Sequence, residues 1–103
     1  MKLIEDNIAH IRELCRKYKV KKLYVFGSIL TDRFNEKSDV DFSALFDRNS
    51  ISREHIDWAD LFFDFIHDLE KLLGRKVDMV FDDYIKNKTF QEELDTTKLL
   101  IYG

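Results

Sequence analysis

A short strand that ends abruptly and is followed by two closely spaced aspartates constrains the fold of this chain most. Residues 20–26 supply the β-branched and aromatic side chains of a strand, and Gly27-Ser28 breaks it. After ten further residues, the alternating pattern of residues 39–46 predicts a second, half-buried strand. Because side chains at i and i+2 of a strand point the same way, Asp39 and Asp41 are predicted to present two carboxylates to one site.

The remaining pattern predicts helices that alternate with strands. Apolar residues at helical spacing, with acids near the start and basic residues near the end, predict a first helix over 4–17. A long helix is predicted over 52–73, with Ser52 as its N-cap and Gly74 as its C-terminal stop. The pattern also predicts a third strand over 77–81, a short helix over 87–94 and an apolar tail over 99–102. This order predicts the α+β class, with helices packed on one side of the strands.

Length and composition limit what the chain can be. With 103 residues and 45% hydrophobic content, it is expected to form a single domain over 1–103 around one core. The net charge of -3 argues against direct nucleic-acid binding, and a lysine cluster at positions 17, 19, 21 and 22 is the nearest feature to a basic patch. A single cysteine, no apolar N-terminal run and no stretch of about 20 apolar residues predict a cytoplasmic protein that does not enter a membrane.

The residues around the two aspartates suit a magnesium-nucleotide complex. Mg²⁺ prefers oxygen ligands and usually takes one or two protein carboxylates together with phosphate oxygens and water. Gly27 lets the backbone turn tightly against a ligand, while Ser28 and the following amides can hydrogen-bond terminal phosphates. Asp78 belongs to the predicted third strand, which is expected to pack beside the second, so its carboxylate is expected to converge on the pair. Such a carboxylate can hold a metal or deprotonate an attacking hydroxyl, and the latter role is expected for Asp78.

The spacing resembles the Gly-Ser-x10-Asp-x-Asp signature of the minimal nucleotidyltransferases in the DNA polymerase beta-like superfamily. Here it reads Gly27-Ser28, then ten residues, then Asp39-Val40-Asp41. The resemblance covers most of the chain, including a third aspartate within Arg75-Lys76-Val77-Asp78 and an ending over 90–102 that is similar to the family's closing helix and strand. It implies the nucleotidyltransferase fold, with a small mixed β-sheet and helices mainly on one face.

This resemblance implies transfer of AMP from ATP with Mg²⁺ as cofactor. It implies these roles: phosphate contacts by Gly27 and Ser28, and metal binding by Asp39, Asp41 and the third carboxylate Asp78. Many members carry Ala-Arg-Gly shortly after the Gly-Ser, whereas this chain has Leu30-Thr31-Asp32 and so lacks a basic residue and a turn glycine. The triphosphate is therefore expected to be bound more weakly, unless Arg33 substitutes as the nucleotide-binding cation.

The acceptor of the AMP group is expected to come from a partner. Apolar residues of the segment 57–73 cover an arc of about 200°, wider than the stripe of about 100° that one core needs. Part of this surface is expected to contact a partner in a homo- or hetero-oligomer, although burial of both flanks in the chain's own core stays open. Similar stand-alone proteins are antitoxins of bacterial pairs whose toxin is a helical HEPN ribonuclease. The resemblance then implies AMP transfer to a tyrosine of that toxin.

Two other functions stay open at this point. A small-molecule transferase similar to the kanamycin nucleotidyltransferases would need an acidic pocket, with Glu36, Asp47, Asp82 and Asp83 as candidates. A non-catalytic antitoxin would act by occlusion, which the Leu30-Thr31-Asp32 departure favours and the three aspartates oppose. Asp82 and Asp83 are also alternatives to Asp78 as the third carboxylate, although their place after the strand favours a turn or a helix cap.

Overall fold

A four-stranded sheet organises the part of the chain that the structure describes. The computed structural model describes residues 2–81 and 98–103. Its strands are β1 (Val20–Phe26), β2 (Val40–Phe46), β3 (Val77–Phe81) and β4 (Leu99–Tyr102), and its helices are α1 (Lys2–Lys17), α2 (Arg48–Arg53) and α3 (Trp58–Leu73). The strand order is β3-β2-β1-β4, with β2 and β3 parallel and β1 antiparallel to both of its neighbours. This mixed sheet with its helices confirms the predicted α+β class.

The hydrophobic core lies between one face of the sheet and the helices. Every second residue of β2 from Val40 to Phe46 is buried against the helices, as period-2 alternation predicts, and Ser43 is buried on the opposite face. Helical spacing gathers the apolar side chains of α1 and α3 on one side of each helix, and Ile11 and Phe65 are fully buried there. The two helices pack on each other, on β1 and on β3, which leaves Asp41 on the opposite face of the sheet.

The predicted long second helix is wrong, because the chain forms two helices in that region. α2 ends before His55, which has a positive φ of 54°. Ser52 lies inside α2, and the side chains of Asp47 and Asp57 cap α2 and α3 instead by accepting a backbone amide three residues onward. Each aspartate accepts one backbone amide of the first turn of its own helix, so the two capped segments are separate elements. Gly74 ends α3 as predicted, with a φ of 66°.

Aromatic packing within the chain covers most of the wide apolar flank of α3. The ring centroid of Phe46 lies 4.8 Å from that of Trp58, 6.5 Å from Phe62 and 6.0 Å from Phe81. Phe63 remains 64% exposed. The chain's own core therefore accounts for most of the apolar arc, and Phe63 is the large apolar side chain that α3 leaves on the surface.

The apolar tail forms β4, an edge strand beside β1. Ile101 is buried in the core, whereas Leu99 and Leu100 are exposed. The helix predicted over 87–94 lies outside the described residues, as do Asp82 and Asp83. Within residues 2–81 and 98–103, no helix is long and apolar enough to span a bilayer.

Candidate active site

Parallel pairing of β2 and β3 brings two of the predicted carboxylates together. Asp41 and Asp78 are direct partners in the strand register, and Val40 and Val77 form the preceding pair. Both valines are buried in the core, so the aspartates that follow them lie on the opposite face of the sheet. Neighbouring strands are about 4.8 Å apart, which sets the separation of the two aspartate backbones. The structure thus places Asp78 beside Asp41, where the sequence predicted it.

Asp39 directly precedes β2 and adds a third negative charge. Burial raises the pKa of the Asp41 carboxyl above its ordinary value, and the charges of Asp78 and Asp39 raise it further. A carboxylate that is destabilised by two neighbouring like charges is stabilised by a cation placed among them. The three aspartates therefore create the electrostatic environment of a cation-binding site.

These carboxylates do not form a complete metal cage. Among the described residues, no three His, Cys, Asp or Glu side chains converge closely enough to hold an ion by themselves. Magnesium usually takes only one or two protein carboxylates and completes its coordination shell with phosphate oxygens and water. The donor set therefore fits a cation that arrives with a nucleotide better than a permanently bound structural metal.

Gly27 begins a 3₁₀ turn, Gly27–Leu30, that lies directly against Asp41. Its φ of 79° is in the left-handed region that favours glycine. A Cβ at this position would lie 3.2 Å from Asp41 Cγ and would overlap the carboxylate. The preceding residue, Phe26, pairs with Asp41 in the β1–β2 ladder, which maintains this close approach. The glycine turn and the carboxylates are therefore parts of one site.

The chain's departure from the family pattern at residues 30–32 has a structural role. Thr31 Oγ1 donates a hydrogen bond of 2.8 Å to the Ser28 carbonyl, and the Thr31 amide donates one of 2.9 Å to the same oxygen. The Arg33 amide donates to Thr31 Oγ1 at 3.2 Å. Thr31 therefore closes the turn that carries Ser28 and begins the loop on which Arg33 is exposed. Nucleotide binding by Arg33 stays a prediction.

Arg75 contacts the loop before Asp39, a role that the sequence pattern does not reveal. Its Nη1 donates hydrogen bonds to the carbonyls of Asn35 at 2.5 Å and Ser38 at 3.2 Å. Its guanidinium carbon lies 4.5 Å from the centroid of the Phe34 ring. In the sequence Arg75 is visible only as a basic residue shortly before the third aspartate. Its hydrogen-bond partner Asn35 lies 40 residues earlier in the chain. No local pattern connects positions so far apart.

Three charged side chains that were candidates for binding roles make other contacts in the structure. Asp47 lies beyond the far end of β2, where it caps α2, so it does not share an acidic pocket with Glu36 in the loop before β2. Lys17 and Lys19 each form an ion pair with an acidic side chain, at 3.7 Å and 3.1 Å respectively. These contacts weaken both the acidic-pocket interpretation and the interpretation of the lysines as a polyanion site.

A protein-family model and two relatives match most of this chain. A family model described as Polymerase beta, Nucleotidyltransferase matches residues 9–103. Two proteins of Methanocaldococcus jannaschii, MJ1379 and MJ0128, are 35% and 38% identical to it over 89 residues. Each match covers 82% of this chain and 84% of the relative. Both relatives carry the name protein adenylyltransferase as a provisional assignment.

Solved structures share the fold at lower sequence identity. One, provisionally described as a minimal nucleotidyltransferase, has a TM-score of 0.74 at 20% identity, over 95% of this chain and 92% of that chain. A toxin-antitoxin complex with AMP-PNP has a TM-score of 0.71 at 21% identity, over 94% of this chain and 73% of the matched chain. A tri-AMPylated HEPN toxin of Shewanella oneidensis in complex with an MNT antitoxin gives 0.65 at 20% identity, over 96% and 71%. At these identities the likeness establishes the fold.

Proposed function

Because the chain belongs to the Polymerase beta nucleotidyltransferase family and is a nucleotidyltransferase, we propose that it transfers AMP from ATP to a tyrosine hydroxyl of a HEPN-type toxin. It does so with Mg²⁺, as a single cytoplasmic domain over 1–103, and is thereby the antitoxin of the pair. One observation carries the proposal. The β2–β3 pairing sets Asp41 beside Asp78, and the β1–β2 pairing of Phe26 with Asp41 sets Gly27 against it, so the carboxylates and the glycine turn lie together at one place.

The nucleotide is held between the turn and the carboxylates. Ser28 and the amides of the Gly27–Leu30 turn hydrogen-bond the terminal phosphates, and Arg33 adds positive charge from the adjacent loop. Asp39 and Asp41 bind the cation that accompanies the phosphates. The raised pKa of Asp41 supports this role, because the cation offsets the repulsion among the carboxylates. When bound, Mg²⁺ neutralises charge that develops on the phosphates.

Asp78 removes the proton from the acceptor hydroxyl. The tyrosine oxygen attacks the α-phosphorus of ATP and forms a new oxygen–phosphorus bond. The bond between the α-phosphorus and the oxygen that bridges to the β-phosphate breaks, and pyrophosphate leaves. Asp78 suits this role because it is exposed beside half-buried Asp41, where a side chain of an incoming protein can reach it.

Two lines of evidence favour a protein as acceptor. The relatives MJ1379 and MJ0128, which match over most of their length, carry the name protein adenylyltransferase. A structure with the same fold contains an AMPylated HEPN toxin. The small-molecule alternative loses Asp47 from its acidic pocket, since this residue caps α2. The occluding alternative loses support as well, because Thr31 closes the phosphate turn rather than disrupting it.

Intact-mass spectrometry tests the proposal directly. The purified protein is incubated with ATP and Mg²⁺, with and without its candidate HEPN partner, and fragmentation locates any modification. The expected result is an added mass of one or more AMP groups on a partner tyrosine. The Asp41→Asn variant is expected to add no AMP. The control Asp64→Asn, which changes an exposed aspartate of α3, is expected to add AMP as the wild type does. Tight association without added mass would instead favour an occluding antitoxin and reject the transfer mechanism.

A further inference from the structure

Strand pairing holds two of the three carboxylates but not Asp39. Asp41 and Asp78 are paired within the ladder of β2 and β3. The hydrogen bond from the Val40 amide to the Lys76 carbonyl, at 3.0 Å, is at the start of that ladder. Asp39 lies one residue before β2, so its position depends on the loop that leads to it.

Arg75 holds this loop, residues 31–38, through three contacts. Its Nη1 donates to the carbonyls of Asn35 and Ser38, and its guanidinium group lies over the ring of Phe34. The loop also has bonds of its own, since the Asn35 amide donates to Ser38 Oγ at 3.1 Å. Arg75 therefore contacts both ends of a tightly turned segment whose last residue is covalently bonded to Asp39.

We propose that Arg75 is a positioning residue for metal-nucleotide binding, because it fixes the loop and thereby the Asp39 carboxylate relative to Asp41 and Asp78. This inference rests on the proposed function. The same loop carries Arg33, so its anchoring also sets the distance of that cation from the phosphate turn. Arg75 lies two residues after the end of α3 and three residues before Asp78. Its contacts therefore connect the loop to the segment that leads into β3, the strand that carries the third carboxylate.

Arginine has properties at this position that lysine lacks. Its planar guanidinium group offers several donors in a fixed geometry and can lie flat on an aromatic ring while its N–H groups donate within the guanidinium plane. A lysine would keep the charge but would present a single rotating ammonium group without a stacking surface. Arg75→Lys is therefore expected to recover only part of the function of Arg75.

The experiment combines two measurements on Arg75→Ala. Hydrogen exchange measured by mass spectrometry reports the loop directly, and titration with Mg²⁺ at fixed ATP reports nucleotide binding. The loop amides are expected to exchange faster in the variant, while peptides from α1 are unchanged. The Mg²⁺ concentration for half-maximal ATP binding is expected to rise about 10-fold, the lower end of what loss of an outer-shell partner costs in metal affinity.

Arg53→Ala is the matched control. Like Arg75, Arg53 donates to a backbone carbonyl, and it also donates to the hydroxyl of Ser50. These contacts lie within α2, which follows β2, whereas Asp39 precedes it. Arg53→Ala is expected to leave both the loop exchange and the Mg²⁺ requirement unchanged. If Arg75→Ala does not fold, Arg75→Lys provides the test, and its Mg²⁺ requirement is expected to exceed that of the wild type by less than about 10-fold; an unshifted requirement would overturn the positioning role.

The possible outcomes separate this inference from the proposed function. Normal ATP binding by the wild type, together with an unshifted Mg²⁺ requirement in the Arg75 variant, would overturn the positioning role alone. A uniform loss of binding at all Mg²⁺ concentrations, with faster exchange throughout the chain, would also overturn it, since that pattern indicates general destabilisation. A wild-type protein that binds no ATP even at saturating Mg²⁺ would overturn the proposed function and the metal-directed role of Arg75 together.

Discussion

Replacement of Gly27 by alanine tests the close contact between the Gly27–Leu30 turn and Asp41. Gly27 has a φ of 79°, and left-handed backbone costs a residue with a Cβ about 1–2 kcal/mol. In a domain of this size, 1 kcal/mol shifts the melting temperature by about 4–8 °C, so strain alone predicts a loss of about 4–16 °C. The new Cβ would also overlap the Asp41 carboxylate, and either the turn or the carboxylate must move.

Displacement of the carboxylate is expected to affect catalysis far more than stability. A misplacement of about 1 Å can cost about 100-fold in rate, and Gly27→Ala is expected to lose AMP transfer by that factor. Gly74→Ala is the matched control, because Gly74 has a similar φ of 66° and a Cβ there would have nothing within 4 Å. It is expected to lose similar stability and to keep wild-type turnover.

The assay measures thermal unfolding by circular dichroism and AMP transfer at a temperature where both variants are folded. Wild-type activity in both variants would refute the contact as a functional constraint. Equal loss of activity in both would mean that backbone strain, rather than overlap with Asp41, impairs the protein.

Three further predictions concern the carboxylates, the core thiol, and a buried and an exposed phenylalanine of α3. Asp41→Asn is expected to lose Mg²⁺-dependent ATP binding, whereas Asp78→Asn keeps binding and loses turnover; loss of binding in both would contradict the separate roles. Desolvation raises the pKa of the buried Cys15 thiol from 9.0 to about 12, so a thiol reagent at about pH 8 should react only after urea unfolds the protein. Because the pKa of Cys15 is higher in the folded than in the unfolded protein, the protonated thiol stabilises the folded state fully below about pH 9, and this stabilisation is lost as the pH rises toward 12. Urea unfolding of the wild type and of Cys15→Ala across this pH range checks that the free energy of unfolding falls with pH in the wild type. Phe65→Ala should cost about 3–5 kcal/mol of unfolding free energy and Phe63→Ala less than about 0.5 kcal/mol, and equal values would contradict the burial assigned to each.

Local patterns predicted the strands well because alternation acts between residues that are neighbours in sequence. The predicted second strand began at Asp39, and the observed one begins at Val40. The helix boundary failed for an equally local reason, since Ser52 and Asp57 are both good N-cap residues and the chain between them contains no glycine or proline. In the structure Asp47 caps α2 and Asp57 caps α3. Which residues serve as caps depends on the apolar faces that the two helices bury, and the sequence around Ser52 does not show this.

The width of the apolar arc on α3 was a weaker basis for predicting a partner-binding surface. It indicated surface beyond the needs of one core, and the structure places most of it in contact with Phe46 and Phe81. Helical spacing reports how apolar a face is, whereas the partner that covers it depends on the curvature of the sheet and on side chains from distant strands.

The sequence by itself determined which chemical groups the candidate site contains. A strand that ends at Gly27, followed at a set spacing by Asp39 and Asp41, specifies a tight turn and two carboxylates through backbone geometry alone. The tertiary structure decided how these parts meet: the parallel register sets Asp78 beside Asp41, and the fold brings Arg75 to the loop before Asp39. Those contacts join residues that are far apart in the chain, and strand register and packing are collective properties that no local pattern encodes.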